Sequence, residues 1–237
     1  MGFLYETHLH TAEVSRCARR PAEEQVGYYR DLGYAGLIVT DHFLNNCSCL
    51  ACSDKTWEER IDDFCRGYDL AAEAGAKFSM DVMFGFEYSL HGNDFLVYGL
   101  TPEWLKANPG QLEWEIRQYM ETARAAGALV VHAHPFREAD YIDMIRLLPR
   151  HVDGVEVYNA NRTDFENERA QEYARAYGLG LSAGSDNHRG EQARLAGLQT
   201  EKRYADAKEL IAAALRGEAK IFQNTPEEIR AGKLTFY

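Results

Sequence analysis

The stretch "AGLIVTDH", residues 35–42, joins a short apolar run to an Asp-His pair that follows it directly. An apolar run of this length is typical of a strand that is buried on both faces, as strands of parallel sheets are. The preceding residues 21–34 have Pro21 where a first helical turn accepts proline and Gly33 where a helix ends. This part of the chain therefore predicts a helix that leads into a buried strand, with polar side chains at the carboxyl end of that strand.

The same alternation of helix and strand patterns runs along the whole chain. Strand patterns occupy residues 3–10, 35–42, 81–90, 94–100, 129–135, 153–159 and 180–188. Helical patterns occupy residues 21–34, 57–76, 111–128, 137–150, 164–178 and 205–217, and residues 194–203 could form one more strand. Such alternation predicts parallel βα units, and about seven of them close naturally into a TIM-like barrel. Because no linker interrupts the pattern, we expect one α/β barrel domain over residues 1–237.

The composition excludes several classes of function. The chain has 237 residues and a net charge of −11, with no run of basic residues, which disfavours duplex nucleic acid as a partner. No apolar run approaches the length of a membrane span, and the start "MGFLYETHLH" is unlike a signal peptide. Five cysteines, an odd number, do not suggest a disulfide framework. We therefore expect a cytoplasmic protein with free thiols and no membrane partner.

Histidines and carboxylates gather at the ends of the predicted strands. Six of the eight histidines lie there, namely His8, His10, His42, His132, His134 and His188. The carboxylates that accompany them are Asp41, Glu87, Glu156 and Asp186. Because the carboxyl ends of parallel strands meet at one face of a barrel, we expect these side chains to lie close together.

The residue types and their spacing favour a metal site. Residues two apart on a strand point to the same face, which places His8 beside His10 and predicts that His132 lies beside His134. Imidazoles combined with carboxylates are ligands for Zn²⁺, Mn²⁺ or Fe²⁺. A single His-x-His pair is more often structural, as is a single buried carboxylate. The joint pattern at four separate strand ends is what favours a metal site over coincidence.

The cysteines offer an alternative metal site. "TDHFLNNCSCLAC", residues 40–52, places Cys47, Cys49 and Cys52 shortly after His42. A C-x-C-x-x-C run can hold a thiolate-bound metal, but four ligands are normally needed, and Cys17 or Cys65 would have to supply the fourth. We favour a substrate-facing loop that carries thiols, with His42 as the metal ligand. The role of the three cysteines stays open at this point.

Five motifs resemble those of the PHP (polymerase and histidinol phosphatase) superfamily, in that family's order and over nearly the whole chain. They are "ETHLHT", "GLIVTDH", "GFE", "AHPFR" and "SAGSDNH". The resemblance implies a distorted (β/α)7 barrel with two or three divalent ions, Zn, Mn or Fe, in a bowl at the strand ends. Most relatives hydrolyse phosphoesters, so the resemblance also implies a metal-dependent phosphoesterase that uses a metal-activated water.

The resemblance carries over ligand positions one residue at a time. It implies that His8, His10, Glu87 and Asp186 hold the first metal ion. Glu87 would bridge this ion to a second one, which His134 would also bind.

A third ion would be held by His42 and His188. His132 matches no ligand position in the family, so we expect it either to orient a metal ligand or to act as an additional ligand itself. Within the whole set, Glu87, Asp186 and His188 are the residues expected to take part directly in catalysis.

Two positions depart from the family pattern. Where relatives have a histidine six residues after the His-x-His pair, this chain has Arg16, and Glu13 could substitute as a ligand from the same neighbourhood. Another family histidine is replaced by Asp94. A carboxylate in place of an imidazole shifts metal preference toward harder ions such as Mn²⁺.

Further residues are expected to support the chemistry. Arg137, Arg162 and Arg189 each follow a strand end, where a guanidinium could clamp a phosphate through two hydrogen bonds. Asp41 is expected to accept a ring N–H from a neighbouring imidazole, and Glu156 is expected to orient a ligand in the same way.

Three functions remain possible on the sequence. The first is hydrolysis of a small phosphomonoester or nucleotide. The second is a metal-dependent hydrolase of amidohydrolase type, which a lysine at a strand end would favour, although no predicted strand end carries one. The third is a catalytically silent metal-binding or regulatory module, suggested by the replaced family histidines. The substrate and the oligomeric state have no readable signal.

Overall fold

In the computed structural model, which describes residues 2–45, 47–49, 54–90 and 92–237, the strands form one continuous sheet. The strands are β1 Phe3–Leu9, β2 Gly36–Val39, β3 Asp81–Leu90, β4 Asn93–Tyr98, β5 Leu129–Ala133, β6 Gly154–Asn159, β7 Gly180–Gly184, β8 Leu195–Thr200 and β9 Lys220–Asn224. The helices are α1 Ala22–Asp31, α2 Trp57–Phe78, α3 Pro102–Ala107, α4 Ile116–Ala125, α5 Asp164–Tyr177, α6 Ala207–Leu215 and α7 Pro226–Arg230, with a 3₁₀ turn at Gln111–Glu113.

The first seven strands close into a distorted TIM-like barrel, as predicted. Their order follows the chain from β1 to β7, and β8 and β9 continue the sheet beyond β1. The pairs β3–β4 and β4–β5 are antiparallel, whereas the other neighbouring pairs between β1 and β7 are parallel. Closure occurs where the Thr7 hydroxyl donates to the Ala183 carbonyl at 2.6 Å and Leu9 bridges to Asn187. Strand β4, antiparallel to both of its neighbours, departs from the all-parallel order of a regular TIM barrel.

Local sequence signals set the ends of the long helices. Thr56 and Glu59 form a reciprocal capping box at the start of α2, and Thr163 and Glu166 form another at the start of α5. Helix α5 ends at Gly178, which has a left-handed backbone that glycine adopts without strain. These helices pack apolar faces against the strands, so the strand ends are held in fixed positions.

One predicted helix is absent. Within residues 137–150 the structure has no helix, and Tyr141 and Met144 are exposed rather than packed. A short helix depends mainly on burial of its apolar face, and this segment has no such burial to stabilise it. The strand β9 and the short helices α3 and α7 were not predicted. Among the described residues, no helix has both the length and the apolar character needed to span a membrane.

Candidate metal centre and active site

The predicted ligands converge at one end of the barrel. His10, His42, His134, Asp186 and His188 lie just beyond the ends of β1, β2, β5 and β7, while His8 and Glu87 lie within β1 and β3. Three overlapping groups place their ligand atoms within 4.8 Å of one another: His8–His10–Glu87, His8–His134–Asp186 and His10–His42–His188. A fourth group of the same kind joins Glu87, Asp94 and His134.

Glu87 is the centre of the cluster. Its carboxylate lies 2.7 Å from Nδ1 of His42, 3.3 Å from Nε2 of His134 and 3.4 Å from Nε2 of His8. Burial opposes ionisation, but the charges of His42 and His8 outweigh it and hold the pKa of Glu87 well below its ordinary value. The residue is therefore a buried carboxylate that requires positive charge around it.

The facing imidazoles fit a bound cation. The Nε2 atoms of His8 and His10 lie 3.1 Å apart, while Nδ1 of His8 contacts Glu156 and Nδ1 of His10 contacts the Ser15 hydroxyl. If each Nδ1 carries the hydrogen, both Nε2 lone pairs point at the same space. Two lone pairs at this separation repel each other unless a cation or a proton lies between them. A divalent ion would satisfy both nitrogens together with Glu87.

Asp186 lies on the opposite side of the same space. Its carboxylate is 3.4 Å from Nε2 of His10, 3.6 Å from Nε2 of His8 and 3.2 Å from Nδ1 of His188. Burial raises the pKa of Asp186, but the charge of His8 and hydrogen bonds from His10 and His188 hold it well below the ordinary value. Asp186 has a positive φ of 52°, so the chain turns sharply there.

His188 is the most accessible histidine of the cluster. Its side chain is 17% exposed, and Nδ1 also lies 3.0 Å from the Asp186 carbonyl. Burial lowers the pKa of His188, but the contacts with Asp186 outweigh it and raise the pKa to about 10. With Nδ1 directed at Asp186, Nε2 is the nitrogen left for a cation or a substrate.

Asp94 contacts both the histidine–carboxylate cluster and an arginine. Its Oδ2 is 3.9 Å from Nε2 of His134 and accepts a hydrogen bond from Arg137 at 3.1 Å. Burial raises the pKa of Asp94, and the charge of Glu87 raises it further. This carboxylate is therefore placed both to contact a cation and to fix Arg137.

Among the described residues, Asp41 has no direct hydrogen bond to an imidazole, which corrects the expected role. Its carboxylate accepts hydrogen bonds from the backbone and the hydroxyl of Thr11, at 2.7 and 2.6 Å, and from the Ser15 hydroxyl at 2.6 Å. Ser15 in turn accepts from Nδ1 of His10 and from the backbone N–H of His42. Asp41 thus acts through Ser15, a residue that the sequence analysis missed because no motif marks it.

Glu156 contacts the cluster from behind. Its Oε1 lies 2.9 Å from Nδ1 of His8, and its Oε2 accepts from the backbone N–H of His134 and from Asn159. This arrangement fixes the ring of His8 with Nε2 directed into the cluster.

His132 lies outside the site, so its expected supporting role is wrong. The ring stacks on Phe95 at 4.7 Å and meets Tyr173 edge-on, and neither ring nitrogen has a hydrogen-bond partner among the residues described. Burial lowers the pKa of His132 to about 3. The predicted shared face with His134 fails because β5 ends at Ala133 and His134 has a positive φ of 24°, which breaks the alternation.

Glu13 also lies apart from the ligand groups found in the described part of the chain. Its carboxylate accepts hydrogen bonds from the backbone N–H of Ala22, at 3.1 and 3.2 Å, at the start of α1. The negative charge is favourable there because the N-terminus of a helix is electropositive. Glu13 is therefore not the substitute ligand that the sequence suggested.

An open cavity of about 950 Å³ lies over the cluster. Glu87, Asp94, His134 and Asp186 contribute to its lining. The guanidinium-bearing residues around it are Arg16, Arg137, Arg162, Arg189 and Arg194. The cavity therefore combines cation ligands with several groups that bind anions, in a chain that is acidic overall.

Two cysteines also reach this cavity. Cys17 and Cys47 line it, and their sulfurs lie within 4.8 Å of each other and of a ring nitrogen of His42. Burial opposes ionisation of Cys17, but hydrogen bonds with His188 and His42 lower its pKa to about 6. Cys49 is exposed, Cys65 is buried in α2, and Cys52 lies outside the described residues. Cys17 stands beside Arg16, the position of the missing family histidine.

Comparison with known proteins identifies the fold. No family model and no curated protein matches the sequence. The structure is similar to a two-domain protein from Bacteroides vulgatus that contains a predicted PHP-like metal-dependent phosphoesterase, with a TM-score of 0.68 and 17% identity. That alignment covers 93% of this chain, which spans only 64% of the larger protein.

Two other solved structures have similar folds. A proposed metal-dependent phosphoesterase from Bifidobacterium adolescentis gives a TM-score of 0.55 at 16% identity, over 90% of this chain and 95% of its own. An amidohydrolase from Chromobacterium violaceum, with bound sulfate and no metal, gives 0.54 at 15% identity, over 94% and 98%.

Fold and site together define a TIM-like barrel with a cluster of histidines and carboxylates at its strand ends, arranged so that it could hold a metal ion. The fold is similar to that of the two phosphoesterase-type structures and of the amidohydrolase structure. The barrel fold that the sequence resemblance implied is therefore confirmed.

Proposed function

We propose that the chain is a metal-dependent hydrolase that acts on a phosphoester of a small molecule, such as a phosphomonoester or a nucleotide. One observation carries the proposal. The His/carboxylate cluster and the side chains of Arg137, Arg162 and Arg189 line one cavity, so a phosphoryl group could contact cations and guanidinium groups together. Such a combination stabilises the negative charge on a transferring phosphoryl group.

The residues divide into holding, orienting and binding groups. Two or three divalent ions would be held by the clustered ligands. These are His8, His10, Glu87, Asp94, His134 and Asp186, together with His42 and His188. Ions held there would lower the pKa of a water molecule and neutralise charge on the phosphoryl oxygens. Glu156 keeps Nε2 of His8 directed into the cluster, and Ser15 does the same for His10.

The arginines would position the substrate. Arg137 is fixed by Asp94 at 3.1 Å, whereas Arg189 is exposed beside the cluster. A planar guanidinium can bind two phosphoryl oxygens at once, which favours phosphate over a neutral group. With only two ions bound, Nε2 of His188, whose Nδ1 is held by Asp186, would be free to donate a proton to the leaving oxygen.

The proposal is tested with a panel of phosphoesters. The chelated protein is reloaded with Mn²⁺, Zn²⁺ or Fe²⁺, and phosphate release is measured for sugar phosphates, amino-alcohol phosphates and nucleotides. We expect at least one metal and substrate class to give turnover, and Glu87→Gln to abolish it while leaving the far-ultraviolet circular dichroism unchanged. Turnover that persists in Glu87→Gln would contradict the proposal.

A second candidate is a hydrolase of amidohydrolase type, supported by the similarity to the Chromobacterium violaceum structure. Among the described residues that line the cavity there is no lysine, although a bridging lysine would favour this chemistry. An amide and lactone panel separates the two candidates. Tight metal binding with no turnover on either panel would instead favour a silent metal-binding module.

A further inference from the structure

A cluster of sulfur and nitrogen ligands lies beside the histidine–carboxylate cluster. The sulfurs of Cys17 and Cys47 and a ring nitrogen of His42 all lie within 4.8 Å of one another. Both thiols are free, only partly buried, and line the cavity. The distances are short enough for one ion to contact all three atoms after small side-chain adjustments.

The backbone holds these three residues in place. The N–H of Arg16 donates to the Cys47 carbonyl at 2.8 Å, and the N–H of Cys49 donates to the Val14 carbonyl at 2.8 Å. Between these bonds, Ser15 and Ser48 form an antiparallel bridge. The segment that carries Cys17 and the loop that carries Cys47 are therefore paired like two short strands.

His42 is fixed to the same paired segment. Its backbone N–H donates to the Ser15 hydroxyl at 3.0 Å, and that hydroxyl donates to Asp41. The two sulfurs and the ring nitrogen that could bind a metal thus belong to residues whose backbone lies in, or is hydrogen-bonded to, one short stretch, residues 14–17. A site built on mutually paired backbone loses little conformational entropy when it binds an ion.

We propose that Cys17, Cys47 and His42 form a zinc site with two thiolate ligands at the edge of the cavity. Two sulfurs and an imidazole fill three of the four positions of a tetrahedral site, and these donor types favour Zn²⁺ over Mn²⁺ or Mg²⁺. His188, whose ring contacts that of His42 at 5.8 Å between centroids, is placed to complete the set, or a water does so. His42 and His188 are also the pair assigned to the third ion under the proposed function, so this zinc would take that third position. The contact of His42 with Glu87 would place it next to the ions of the main cluster.

The site is tested with cobalt, which reports sulfur ligands directly. The full chain is chelated under reducing conditions and titrated with Co²⁺, and the near-ultraviolet sulfur-to-cobalt charge-transfer absorption is recorded. We expect a band in the wild type, about half its intensity in Cys17→Ser and in Cys47→Ser, and full intensity in the matched control Cys49→Ser. In zinc competition we expect Cys17→Ser and Cys47→Ser each to bind one equivalent of Zn²⁺ at least about tenfold more weakly than the wild type. Even a residue that only orients a metal ligand contributes about tenfold to metal affinity, so loss of a ligand should cost at least as much.

Zinc-edge X-ray absorption of the wild type checks the result without any variant, and we expect two sulfur neighbours on one zinc. Absence of the band, a band that Cys49→Ser removes, or zinc with only nitrogen and oxygen neighbours would overturn the proposal. A Cys17–Cys47 disulfide that persists under the reducing conditions of the titration would overturn it as well. Phosphate release is measured separately, so failure of the phosphoesterase proposal leaves the cobalt result interpretable.

Discussion

Nδ1 of His8 lies 2.9 Å from Oε1 of Glu156, and both side chains are fully buried. The contact joins β1 to β6 across the barrel and determines which nitrogen of His8 carries the hydrogen. Because the other oxygen of Glu156 accepts from the backbone of His134, one carboxylate fixes two members of the cluster.

We expect Glu156→Gln to weaken binding of a divalent ion by about 10–100-fold. The amide has one donor end, which must face either Nδ1–H of His8 or the donors of His134 and Asn159, so one contact becomes repulsive. Chelator competition with Zn²⁺ or Mn²⁺ measures the loss. Glu13→Gln is the matched control, and equal losses in the two variants would contradict the assignment.

Gly184 leaves room for the same pair. A Cβ at this position would lie 2.5 Å from Cβ of His8 and 2.9 Å from Oε1 of Glu156. We expect Gly184→Ala to lower the free energy of unfolding by about 1–3 kcal/mol, as overpacking does, and to weaken metal binding.

Gly27→Ala is the control for this substitution, measured by urea unfolding. Gly27 lies in α1, and a Cβ there would meet nothing within 4 Å. It should gain about 0.5–1 kcal/mol because alanine is the better helix former. A Gly184→Ala variant as stable as the wild type would contradict this prediction, because it would show that His8 and Glu156 can move aside to accommodate the added Cβ.

We expect Arg189→Met to raise KM for a phosphorylated substrate by about tenfold or more, because hydrogen bonds to charged groups contribute about 1.5–3 kcal/mol. Methionine keeps much of the side-chain length and removes the charge. Steady-state phosphate release on the substrate found in the panel is the measurement. Arg150→Met, at an exposed arginine away from the cavity, is expected to behave as wild type.

The buried imidazole of His132 should make the free energy of unfolding depend on pH. Burial lowers its pKa from 6.5 to about 3, so protonation favours the unfolded chain. Its contribution is fully present above the unfolded pKa and is lost as the pH falls, by about 1.4 kcal/mol per pH unit between the two pKa values.

In His132→Phe this contribution to acid sensitivity should disappear, so the stability advantage of the variant over wild type should grow as the pH falls from about 7 to about 5. Urea unfolding across this range measures the difference. His151→Gln, at a partly exposed histidine, serves as the control. A constant difference between His132→Phe and wild type would mean that His132 does not titrate as its burial requires.

Much of the barrel could be read from the sequence, because buried strands and amphipathic helices have distinct periods. The two-residue spacing of His8 and His10 correctly predicted one shared face, since His10 directly follows the last residue of β1 and keeps its alternation. Residues 137–150 had a helical pattern without the burial that a helix needs, so the pattern alone was misleading there.

By itself, the sequence determined which strand ends carry imidazoles and carboxylates, because the carboxyl ends of a barrel's strands meet at one face. Only the tertiary structure decided where side chains point once a strand has ended. The positive φ of His134 separates it from His132, Ser15 intervenes between Asp41 and His10, and strand-like pairing brings Cys47 to Cys17. Beyond a strand end, direction depends on contacts with distant segments, and no local period encodes those contacts.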